Sequence, residues 1–202
     1  IRKNLHWKGS KGLSFLPLAH TYGCTLDFLL PFAVGTHITL LGKIPSPKIL
    51  IEAARKVRPD IIFTFPLVSE KSYRKQVQPQ MQRKAVQLAL MIPLLREKIY
   101  EAVNKQLREA FGGKFTQIVA GGAPLNSEVE DFLCKIKFPI TVGYGMTECA
   151  PLITFSRAEN FVATSCGRPL AGIMEVRVDS PDQGRIVGEI QTRGATVVLG
   201  YD

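Results

Sequence analysis

Thr141-Val-Gly-Tyr-Gly-Met-Thr-Glu148 brings together the residue types that phosphate chemistry needs. Phe138, Ile140 and Val142 predict a short buried strand, and Gly143 and Gly145 permit positive φ and close approach of a ligand to the backbone. Thr147 and Glu148 leave the turn where a helix is expected to start. A hydroxyl there can donate to a phosphate oxygen, and a carboxylate can hold a magnesium ion that neutralises phosphate charge. Tyr144 offers a flat face to a base. Two other stretches have related character. Gly121-Gly-Ala-Pro-Leu125 follows an apolar run and precedes a helix capped by Asn126 or by the box Ser127-x-x-Glu130. His20 stands in the polar cluster Ala19–Gly23 behind another strand, where it could wall a pocket. Each stretch also has a plainer reading: a glycine turn, an ordinary helix start, a histidine satisfied within the structure.

The elements that must hold these residues alternate. Strands are predicted over 12–18, 36–41, 61–65 and 115–120, with helices over 26–34, where the run is apolar nearly all round and reads as buried, and from Pro47. Ser46 is the N-cap of the second, Ile49, Leu50, Ala53 and Val57 its core face, and Arg58-Pro-Asp60 its end. Such alternation predicts an α/β fold with a mostly parallel sheet flanked by helices, and loops at strand ends are where such sheets bind ligands. Pro66 to Gln76 predicts the start of a helix, and Val77 to Gln80 a break. Beyond it Leu88, Ile92, Leu95, Ile99, Val103, Leu107 and Ala110 recur by threes and fours, a helical stripe read as ordinary core packing. Pro93 divides it and Gly112-Gly113 stops it. After Glu148 the helical periods end. Met174–Val178 alternates, Pro181–Gly184 turns and Ile186–Arg193 returns, which predicts a small antiparallel β portion. The domain reading is 1–165 for the α/β part and 166–202 for the start of the β part.

Composition sets the limits. The chain has 202 residues, 46% of them hydrophobic, enough for a core. Its longest apolar stretch, Phe28 to Leu41, is broken by Pro31, Gly35 and His37 and is too short to span a bilayer. The basic opening residues lead into no signal-peptide apolar region and lack a start methionine, so the chain is read as beginning within a longer protein. Four dispersed cysteines signal neither a disulfide framework nor a zinc site, and a reducing, cytoplasmic setting is expected. The net charge of +9 is concentrated between Lys71 and Arg108, with nine Lys or Arg against two Glu. Such a region suits acidic ligands or an anionic membrane surface, and equally a solvated helix face.

Gly143-Tyr-Gly-Met-Thr-Glu148 resembles the G-Y-G-x-T-E signature of the adenylate-forming enzymes: acyl-CoA synthetases, adenylation domains of peptide synthetases, and luciferases. The resemblance implies that Tyr144 stacks on adenine, Thr147 contacts the α-phosphate and Glu148 coordinates magnesium. Phe15-Leu-Pro-Leu-Ala-His-Thr-Tyr-Gly23 resembles the family's P-L-x-H-x-x-G segment, which places His20 and Tyr22 at the carboxylate end of an acyl pocket. Gly121, Gly122, Ala123 and Pro124 match G-G-A-P-L, which implies a loop lining the adenine and acyl pocket together with Gly143, Gly145 and Met146. Gly188 to Tyr201 resembles G-E-I-x-x-R-G-x-x-V-x-x-G-Y, with Ala195 where many members have proline.

These motifs run in the family's order from Gly12 to the end. They imply part of a long-chain fatty-acid-CoA ligase that uses ATP, Mg2+ and coenzyme A, first forming an acyl-adenylate and then a thioester. The helical segment from Met81 to Phe111 resembles the long-chain branch. A phosphate loop expected before Ile1, and a ribose-binding aspartate and a lysine-bearing domain expected beyond Asp202, are not in this sequence. The chain alone is therefore expected to fold, to self-associate through an uncovered sheet edge, and to be inactive. Peripheral membrane contact is left open and no nucleic acid is expected. Two alternatives stand beside this reading: an adenylating enzyme for another acid (an aryl-CoA ligase or a peptide-synthetase adenylation domain), and a non-enzymatic basic binding module.

Overall fold

A computed structural model describes residues 11–42, 45–66, 70–71 and 73–201. The basic opening segment, Asp202 and part of the helix expected from Pro66 lie outside the described residues.

Five short strands, β1 (Lys11–Ser14), β2 (His37–Leu40), β3 (Ile61–Thr64), β4 (Gln117–Ala120) and β5 (Ile140–Val142), form one parallel sheet in the order β2-β1-β3-β4-β5. The predicted α/β class is what forms. β3 and β4 are buried at every position, as central strands covered on both faces must be. The chain reverses its direction of winding between β1 and β3, and a ligand crevice opens at such a switch point, beyond the C-terminal ends of the strands.

Helices supply the cover. A π-helical stretch, Gly23–Leu29, runs into the single turn α1 (Leu30–Ala33), followed by α2 (Pro47–Val57), a second π-helical stretch Tyr73–Val77, α3 (Gln78–Met81), α4 (Lys84–Leu90), α5 (Pro93–Ala110) and α6 (Ser127–Lys135). The Ser46 side chain caps α2 by accepting from the N–H of Ile49 at 3.4 Å, Pro47 opens it, and left-handed Arg58 ends it. Gly112 and Gly113, both at positive φ, end α5.

Several expectations are corrected. The apolar run from Leu26 is not buried all round: Leu26, Asp27 and Pro31 are inside, whereas Phe32 is 71% exposed, because this helix covers the sheet with one face only. In α2 Leu50 is buried and Ala53 and Val57 pack half-buried against the core, as expected, but Ile49 faces out and Ala54 is the second buried residue. The break expected at Val77–Gln80 is helical, since Pro79 falls in the first turn of α3, where its missing N–H costs nothing. The stripe over α4 and α5 is core only in its second half, at Val103, Leu107 and Ala110.

Beyond β5 the sheet gives way to antiparallel pairing. β6 (Tyr144–Gly145), β7 (Leu152–Phe155) and β8 (Arg168–Pro169) make one small sheet, and β9 (Met174–Asp179) with β10 (Glu189–Gly194) makes another. The helix expected after Gly145 is a single 3-10 turn, Thr147–Cys149, because left-handed Ala150 turns the chain back to pair with β6.

Candidate functional site

The loops after β1, β4 and β5 meet at the C-terminal edge of the parallel sheet. Ladder bonds continue past the strands and tie the turns together: the N–H of Gly121 donates to the carbonyl of Thr64 at 3.1 Å, and that of Gly143 to the carbonyl of Ala120 at 2.9 Å. Between these loops lies a cavity of about 130 Å³ lined by His20, Thr21, Tyr22, Gly121, Gly122, Gly143, Gly145, Met146, Thr147, Pro151 and Leu152. Eight of these were expected from the sequence. Ala123 and Pro124 stand exposed just past Gly122, and Tyr144 is half-buried against the core from β6. Glu148 follows Thr147 outside the lining.

The loop after β1 is held from behind. Asp27, buried in the π-helical stretch, accepts the N–H groups of Phe15 and Leu16 on one carboxylate oxygen at 2.9 and 3.0 Å. Burial pushes its carboxyl from 3.8 up to about 6, while these N–H groups and the Ser14 hydroxyl pull the other way. From this anchor the chain turns, with the N–H of His20 on the carbonyl of Pro17 at 3.0 Å, and the His20 Nδ1 accepts from the N–H of Tyr22 at 3.1 Å. The proton of a neutral His20 ring is thereby assigned to Nε2. The Tyr22 ring lines the cavity, but its hydroxyl donates to the Val119 carbonyl at 2.9 Å, and burial pushes its phenol well above the usual range.

Thr147 faces this loop. Its Oγ1 accepts from the Thr21 hydroxyl at 3.5 Å, so its own proton remains for another acceptor. The Glu148 carboxylate accepts from the Tyr201 hydroxyl at 2.7 Å, and that bond, with its own N–H, holds its carboxyl below the usual range. Glu148 is therefore an anion at neutral pH. Among the described residues no three His, Cys, Asp or Glu gather as a metal cluster. A carboxylate with a neighbouring hydroxyl is still a hard oxygen donor set, which suits magnesium completed by waters and phosphate oxygens.

Sequence reasoning missed Thr21, Pro151 and Leu152 in the lining, the anchor Asp27 and the partner Tyr201. Asp27 carried a signal: a lone carboxylate in an apolar run needs buried partners. The Tyr201 bond spans 53 residues and had none. A larger hollow of about 590 Å³ lies at the opposite end of the sheet, by Thr116, Gln117 and Pro139, where parallel sheets do not place ligands.

Both the sequence and the fold have known relatives. The family model described as AMP-binding enzyme matches residues 2–202. A long-chain-fatty-acid–CoA ligase, ACSBG2 of Gallus gallus, is 28% identical over 94% of this chain, which spans 27% of that relative's length. A malonyl-CoA ligase solved with methylmalonyl-CoA and AMP bound superposes with a TM-score of 0.70 over 99% of this chain and 38% of its own, at 22% identity. The o-succinylbenzoate coenzyme A synthetase of Bacillus subtilis, solved with ATP and magnesium, gives 0.64 over 95% and 34%, at 18% identity.

Proposed function

The chain belongs to the AMP-binding enzyme family, and from that premise we propose that the cleft between His20, Gly121 and Thr147 is one wall of a site that activates a long-chain fatty acid with ATP and passes it to coenzyme A. The observation that carries this reading is the convergence of three loops, distant in sequence, on one cavity at the sheet's C-terminal edge. At about 130 Å³ the cavity is below the roughly 300–1,000 Å³ of ordinary ligand sites. It holds part of a substrate, not a whole nucleotide with an acyl chain.

In this reading the fatty carboxylate lies by His20 and attacks the α-phosphate of ATP, giving acyl-adenylate and pyrophosphate. The thiol of coenzyme A then attacks the acyl carbon and AMP leaves. The Thr147 hydroxyl donates to an α-phosphate oxygen. Glu148 holds magnesium, which supplies neutralisation of the charge that builds as pyrophosphate departs. Tyr144 lies beside the adenine. Support for the long acyl chain comes from the long helical crossover between β3 and β4 and from the name of the Gallus gallus relative.

The test is acid-dependent pyrophosphate–ATP exchange by a full-length protein carrying this chain, over acids from acetate to palmitate. Exchange is expected to peak with long chains, and Glu148→Gln is expected to lower it ~10²–10³-fold, the usual cost of one transition-state contact. A peak at acetate or an aromatic acid would remove the long-chain reading and leave adenylation. An unchanged Glu148→Gln rate at saturating magnesium would remove Glu148 from the site.

A further inference from the structure

The crossover from β3 to β4, residues 65–116, is more than twice as long as that from β4 to β5, residues 121–139. A single helix suffices to join neighbouring parallel strands. Most of the extra chain is not needed by the sheet, and α4 and α5 show where it goes. The 18 residues of α5 run about 27 Å at 1.5 Å each. Its buried residues, Val103, Leu107 and Ala110, all lie in its C-terminal half. α4 buries none of its residues, touches α5, and sets Val86 and Leu90 half-buried against the core. The two helices join at a tip, Met91–Ile92, where Ile92 has extended backbone.

That tip is apolar and open to water. Leu88 is 67% exposed, Met91 78%, Ile92 52%, Leu94 69% and Leu95 40%. Contiguous apolar surface of this kind marks an interaction site. Charge indicates the partner: exposed Arg83, Lys84, Arg96 and Lys98 flank the tip against Glu97, and among the described residues none of these four cations is in an ion pair. Apolar side chains collared by cations match an interface of hydrocarbon below and anionic headgroups above.

We propose that the α4–α5 tip anchors the protein to an anionic lipid surface. Leu88, Met91, Ile92 and Leu94 enter the boundary between headgroups and acyl chains, while Arg83, Lys84, Arg96 and Lys98 remain among the headgroups. The anchor is peripheral, since no helix among the described residues is long and apolar enough to cross a membrane. It stands on the tip's own surface and does not depend on which acid the site activates.

The test is sedimentation of the 202-residue chain with vesicles of phosphatidylcholine containing about a third phosphatidylserine. Wild type should pellet with these vesicles, and much less with phosphatidylcholine alone or at high salt. Met91→Glu with Leu94→Glu should lower partitioning by at least ~10-fold, with no change in melting temperature, since both positions are exposed. Arg83→Gln, Lys84→Gln and Arg96→Gln should each lower it about five-fold. Met91→Trp, in a Trp7→Phe background, should shift its emission to the blue only when vesicles are added. Equal partitioning of wild type and the double glutamate variant would overturn the proposal. So would an emission already blue without lipid, or a wild-type dimer that the double variant turns to monomer, because either shows protein covering the tip.

Discussion

After β4 the chain turns on a glycine's backbone conformation, whereas after β5 it turns on a glycine's missing side chain. Gly122 has φ 84°, and an added Cβ would meet only the Phe65 ring, at 3.1 Å. Gly145 has no such φ, but an added Cβ would overlap the carbonyl oxygen of Pro151, where β6 pairs irregularly with β7. The turns also lead to different places. The first enters α6, where the Asn126 side chain accepts from the N–H of Val129 at 3.3 Å and the Asn126 N–H donates to Glu70 at 2.8 Å. The second returns as an antiparallel strand, with the N–H of Met146 on the Pro151 carbonyl at 2.8 Å. The N–H groups of Gly121, Gly143 and Met146 are thus engaged within the protein. What these glycines chiefly secure is the placing of their neighbours, so the ligand-directed chemistry of the converging loops falls to His20, Thr147 and Glu148.

The strongest test of this contrast is Gly145→Ala. Backbone would meet backbone, and no change of rotamer relieves that, so β6 and β7 must separate. A loss of ~3 kcal/mol or more is expected from urea unfolding, at the upper end of overpacking costs. A loss under ~1 kcal/mol would mean that the strands part cheaply and that Gly145 is not there for the pairing.

The same contrast accounts for what could be read in advance. Strand and helix periods in the parallel half are local signals, and the positions of β1 to β5 follow from short apolar runs between turn residues. Burial is not local. The stripe from Leu88 to Ala110 keeps one period throughout, yet half of it faces water, because the sheet is too small to cover it. Likewise Gly143-Tyr-Gly-Met-Thr-Glu148 shows a turn with chemistry at its exit, whereas the short 3-10 turn there depends on Ala150 and β7 returning to β6. Eight of the expected residues came together on loops that sequence could place, and Tyr201 reached Glu148 through a fold that it could not.

A third turn, after β1, extends the comparison, because a buried carboxylate holds it. Asp27 titrates near 6 when folded and near 3.8 as an ordinary carboxyl. Below 3.8 it is protonated in both states and costs nothing. As pH rises from 3.8 to about 6 the unfolded chain ionises first, so this group lowers stability. Above 6 the whole cost is present, ~2–3 kcal/mol for a shift of this size. Asp27→Asn does not titrate. The stability of wild type relative to Asp27→Asn should therefore fall by that amount between pH 4 and pH 7, measured by unfolding at each pH. A flat difference would mean that Asp27 ionises as it does in water and that its two backbone bonds fully offset its burial.

The smallest expected effect discriminates best between conformation and space. Gly122→Ala places an L side chain in the left-handed region, at ~1–2 kcal/mol, and its Cβ needs only a small tilt of the Phe65 ring. Asparagine is larger than alanine, yet it tolerates that region better, because its short polar side chain can bond locally. If conformation governs this turn, Gly122→Asn should be milder than Gly122→Ala despite its bulk, by a few tenths to ~1 kcal/mol in urea unfolding. If space governs it, the order reverses, and Phe65→Leu should rescue the asparagine variant more than the alanine one through a coupling of ~0.5 kcal/mol or more. The reversed order would make the turn after β4 the same kind of device as the turn after β5: a glycine kept for closeness, with Phe65 in the part that the Pro151 carbonyl plays for Gly145.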